Sequence, residues 1–142
     1  MQFDPANHIV KLCAQGIYFE GEGKAEEARI NFQKAWDEAT NHTEKFISAH
    51  YLARHQNSVA EKLKWDIISL QSALKINDED MKSNYSSLYL NIAKCFEEMK
   101  DLENARTNYL LALSFSDSLP KDGYGRMIKS GITAGMERLS KM

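Results

Sequence analysis

Apolar residues recur through most of the chain at steps of three and four, the period of a helix that buries one face. Ile9, Leu12, Cys13, Gly16 and Phe19 make the first stripe. Asp4 and Pro5 stand before it as cap and first-turn proline, and Gly21-Glu22-Gly23 ends it. Ala28, Phe32, Ala35 and Trp36 make the second stripe, behind an acidic first turn with Glu26 and Glu27, and predict a helix to about Thr40. The same reading predicts five more helices, over 43–56, 58–76, about 80–99, 102–115 and 124–139. No segment alternates as a strand would. Most breaks are two or three residues long, so each helix is expected to fold back on the one before it in an all-α protein.

The chain repeats itself. Leu12, Gly16 and Phe19 followed by Ala28, Phe32 and Ala35 become Tyr89, Ala93 and Phe96 followed by Ala105, Tyr109 and Ala112, with every internal spacing kept. The small residue lets two helices approach closely, and the aromatics fill the space around that contact. This pattern resembles the tetratricopeptide repeat, and the likeness spans about 120 of the 142 residues. It implies a right-handed superhelix of antiparallel helix pairs forming one domain. Repeat 1 is expected at about 5–41, repeat 2 at about 43–77, repeat 3 at about 80–117, and a capping helix at about 123–140.

The middle repeat is degenerate. Phe46, Ala49, His50 and Ala53 occupy its first helix and Asp66, Leu70 and Ala73 its second, with four extra residues between, about one helical turn. The last helix offers Met127, Gly131 and Ala134 as another buried stripe, with Arg126, Lys129, Glu137 and Arg138 as its polar side, as a terminal cap requires. Gly131 and Gly135 read as close helix packing. AHYLARHQ at 49–56, Trp65, SLYLNIAKC, DLENA and LPKDGYG are also similar to a group of small stand-alone bacterial members of the family. Some of these carry an rRNA adenine methyltransferase label. That activity needs a parallel sheet and a Gly-rich loop after a strand, and here the two G-x-G sequences lie between helices.

Charge and composition narrow the functional classes. Lys plus Arg number 18 against 20 Asp plus Glu, a formal net charge of -2 that creates no field for a polyanion, so nucleic acid is not an expected partner. Cys13 and Cys95 lack metal-type spacing and are expected as buried thiols, consistent with a reducing, cytoplasmic location. Asp4 and Pro5 interrupt what would be the apolar core of a signal peptide, and no stretch reaches the roughly 18 apolar residues of a membrane span.

Chemistry is sparse. His50 and His55 are five residues apart and diverge by about 140° on a helix, so they do not form an i, i+4 metal pair. His8 and His42 fall at helix ends. No nucleophile is marked by a base beside it, and neither catalysis nor a cofactor is expected. Recognition remains. In the repeat family the first helices line a concave groove, which places Cys13, Ile17, Ile47, Tyr51, Arg54, His55, Leu90, Lys94 and Glu97 there, with Arg106 outside it. Tyr51, Arg54 and His55 share a helix face and are the strongest candidates for binding a protein or peptide. A second reading makes them a packing cluster with Trp65. The carboxylate clamp of chaperone-binding relatives is missing, because Cys13, Ile17 and Ser87 hold its places. Two other functions stay open: a small-molecule sensor or enzyme subunit with Arg54 on an anion, and a homodimer through Val10, Ile17 and Leu90.

Overall fold

The computed structural model describes residues 3–142, which form seven α-helices and no strand. They are α1 (His8–Gly21), α2 (Ala25–Glu38), α3 (His42–Ala53), α4 (Val59–Leu74), α5 (Lys82–Glu98), α6 (Leu102–Ser114) and α7 (Gly123–Ser140), with 3-10 turns at Glu79–Met81 and Ser116–Ser118. All seven expected helices are present, packed in adjacent pairs. The caps are side chains that accept the free N–H groups of the first turn. Asn7, three residues past Asp4, caps α1, while Asn41, Ser58, Asp101 and Asp122 cap α3, α4, α6 and α7. The chain divides into two compact units, residues 1–76 and 77–142.

In the first unit α1 pairs with α2 and α3 with α4, and α2 and α1 both pack on α3. Ala28, Phe32 and Ala35, the repeated residues of α2, are each 0% exposed. Gly16 makes this possible, since a Cβ there would fall inside the Phe32 ring. The Tyr51 ring stacks on Phe32 at 5.3 Å and 17°. Trp36 and Trp65 meet edge to face at 5.0 Å and tie α2 to α4. Three buried or half-buried polar side chains of the unit find partners. Asp66, standing where the repeat has Ala, is buried and takes the Lys62 ammonium at 2.8 Å, and Ser69 Oγ donates to the Phe46 carbonyl. Glu44 accepts from Asn7 Nδ2 at 2.9 Å and from the Thr40 N–H at 2.9 Å, which holds its carboxyl below the usual range and fixes the start of α1 against α3.

In the second unit α5, α6 and α7 surround Tyr109, which like Ala105 and Ala112 is 0% exposed. Leu90, Ala93, Leu119, Ile128, Ile132 and Leu139 complete this core. The buried stripe of α7 differs from the expected one. Ile128, Ile132, Gly135 and Leu139 face inward, and Met127 is 61% exposed. The cause lies across the interface: the Tyr109 ring occupies the space a Cβ on Gly135 would need, whereas Gly131 faces only the flexible end of Leu90. Gly131 and Gly135 are thus both close-packing positions. On the other side of α7, Lys129, Ser130, Thr133 and Glu137 are exposed, the polar surface expected of a cap.

Gly16→Val and Gly135→Val push a branched side chain into a buried ring and should each cost about 1–3 kcal/mol or more in urea unfolding. Gly21, where a Cβ meets nothing, provides the contrast: Gly21→Ala should be neutral or stabilise by up to about 1 kcal/mol.

Candidate functional site

The end of α1 and the end of α3 meet at one carboxylate. Glu20 accepts from Arg54 Nη1 at 3.1 Å and contacts His55 Nε2 at 2.7 Å. The Arg54 guanidinium lies over the Tyr51 ring, 4.7 Å from its centre, and the rings of Tyr51 and His55 both lean on Phe32. Tyr51, Arg54 and His55 therefore do come together. They do so as a braced corner, and α3 stops at Ala53, earlier than expected, because Arg54 and His55 turn their N–H groups back onto Tyr51 and Leu52. Trp65 sets its ring against Trp36.

Glu20 was not among the expected site residues, although the repeat contained the signal. The shift of 77 residues that carries Phe32 onto Tyr109 carries Glu20 onto Glu97. Glu97 takes Arg138 through Nε at 2.8 Å and Nη2 at 3.0 Å, and accepts from the Tyr109 hydroxyl at 2.6 Å. Arg138 holds the Glu97 carboxyl below its ordinary range. Burial, aided by the neighbouring Glu97, pushes the Tyr109 phenol up to about 12. In each unit a carboxylate at the end of the first helix is clamped by an arginine at the end of the third.

These contacts decide which groove candidates are available. Cys13 and Leu90 are 2% and 3% exposed, and Ile47 is buried too. Burial also raises the Cys13 thiol to about 12, so it is neutral at physiological pH. Tyr51, His55 and Glu97 are half-buried and already partnered. Ile17, Arg54 and Lys94 reach solvent. His50, next to the rings of Phe46 and Tyr51, leaves Nδ1 buried without a hydrogen bond, and burial first, then the charges of Arg54 and Lys62, lowers it to about 4. His8 meets Glu38 at 3.3 Å on the surface. Among the described residues no group of three or more His, Cys, Asp or Glu is placed to hold a metal, and no helix is long and apolar enough to cross a membrane.

Two hollows mark the first unit. A cavity of about 230 Å³ lies between the starts of α1 and α3, with Phe3, Val10 and Ile47 as apolar walls and Asp4, Asn7 and Asn41 at its polar rim. A more polar cleft of about 740 Å³ is lined by Arg29, Gln33, His55, Asn57, Lys64 and Trp65, with Glu26 and Glu61 balancing its cations. The first suits an apolar side chain and the second a polar or zwitterionic group.

Glu97→Gln removes a half-buried charge from a bidentate arginine and should cost about 1–3 kcal/mol in chemical unfolding. His50 generates a pH dependence. Between about 4 and 6.5 the unfolded chain binds a proton that folded His50 refuses, so stability rises with pH through that window. The wild type should lose stability as pH falls from 6.5 to 4, and His50→Gln should show a shallower slope in urea midpoints. The lowered carboxylates Glu44 and Glu97 contribute stability that is lost further down, as pH falls below the ordinary carboxylate value. No protein-family model, curated protein or solved structure matches the chain.

Proposed function

We propose that the protein is a non-catalytic, tetratricopeptide-like binding module of three helix pairs and a capping helix, and that it takes a segment of a partner protein. The exposed side of the α1–α3 pair carries the reading. There Ile17 is 42% exposed, Val10 is half-buried, and the apolar cavity lies at the end opposite the Glu20–Arg54 corner. An extended peptide with one large apolar side chain fits the cavity, and an acidic group further along meets Arg54, whose side chain is 48% exposed despite its bond to Glu20. Repetition of the Ala-aromatic-Ala frame in α2 and α6 supports the family likeness.

A second reading is favoured by the polar cleft, whose Arg29, Lys64 and Trp65 could hold a small anionic metabolite. The two separate in one experiment. Peptides selected from a displayed random library are titrated into isotopically labelled protein, with a metabolite panel in parallel. The peptide reading predicts amide shifts centred on Val10, Ile17 and Ile47, and a loss of about tenfold in affinity for Ile17→Glu, equivalent to about 1.4 kcal/mol. Shifts centred on Arg29 and Trp65, or no peptide selected, would reject it.

A further inference from the structure

We infer that α6 is a self-association surface and that its occupant is α6 of a second copy of this chain, running antiparallel. Leu110 and Leu113 are 49% and 45% exposed, three residues apart on one face of the helix. That face is distinct from the one that buries Ala105, Tyr109 and Ala112. The repeat supplies a contrast. The residue at the place of Leu113 in α2 is Trp36, which is only half-exposed because Trp65 packs against it. The residue at the place of Leu110 is Gln33, a polar side chain bonded to Asp37. The second unit thus puts leucines on its surface where the first has a covered tryptophan and a satisfied amide.

Charge specifies the partner. One turn before Leu110 on α6 stands Arg106, and just beyond the other end of the helix, in the 3-10 turn, stands Asp117. Both are exposed, and neither makes an ion pair among the described residues. Cation, leucine, leucine, anion is a self-complementary order. A twofold axis between residues 111 and 112 sets Leu110 of one copy against Leu113 of the other, twice. The same axis sets Arg106 against Asp117, also twice, which is an isologous interface. A parallel arrangement would place like charges together. The stripe is short compared with the roughly 1,200–2,000 Å² of a stable complex, so the pairing exchanges rapidly and needs high concentration.

Sedimentation velocity on the full chain from about 10 µM to about 1 mM tests this. The wild type should show a concentration-dependent rise in sedimentation coefficient, and Leu113→Glu should weaken association at least about tenfold. R106D and D117R should each fail to self-associate, because each sets like charges opposite one another. A 1:1 mixture of the two should associate like the wild type, because every contact is again between opposite charges. All four residues are exposed, so circular dichroism should show unchanged helix content in each variant. A wild type that stays monomeric, a Leu113→Glu variant that still dimerises, or a mixture that fails to associate would each overturn the proposal.

Discussion

A buried aromatic ring organises each unit, and each ring lies there because a glycine makes room for it. Phe32 fills the space beside Gly16 on the first helix and takes the face of Tyr51 from the third. Tyr109 meets the arrangement from the other direction: Ala93 stands where Gly16 did, and the gap is opened by Gly135 on the third helix. One neighbour gives up volume wherever the other gains it, as close packing demands. The alanines one turn to either side of each ring are 0% exposed, so one face of the second helix of each unit is buried against its neighbours.

The ring also explains the carboxylate corners. With the aromatic face of the second helix buried, the ends of the first and third helices come together, and their polar groups need partners. Glu20 and Glu97 supply them, each with an arginine from the third helix. In the second unit the ring itself joins through the Tyr109 hydroxyl. In the first, Phe32 has none and His55 takes the second carboxylate oxygen. Residues that looked like recognition chemistry are in large part the bracing of a repeat. Beside them Ile17 and the outer side of Arg54 stay exposed to solvent.

Helix content and helix order were legible because the apolar period is regular and the breaks are short. The 77-residue echo of Ala28, Phe32 and Ala35 located the core of both units. Details set by partners across the fold were harder to read. Asn7 displaced Asp4 as a cap because its amide also reaches Glu44, 37 positions away. The buried face of α7 followed Gly135 because Tyr109 selects it, whereas the spacing of Met127, Gly131 and Ala134 matched the repeat equally well. Cys13 and Leu90 fell on the expected stripe but are covered, since a stripe on one helix does not record how closely the next one approaches. Glu20 was missed because it is one of two acidic residues at the end of a helix, Glu20 and Glu22, distinguished only by its echo in Glu97.

If the two rings are the organising contacts, the amides around them open only when their unit unfolds. Native-state hydrogen exchange measures this residue by residue. The slowest amides are predicted in the middle of α2, around Phe32, and the middle of α6, around Tyr109, with α4 and the outer turns of α7 exchanging faster. Maximum protection in α4 or α7, with α2 and α6 exchanging early, would contradict the account.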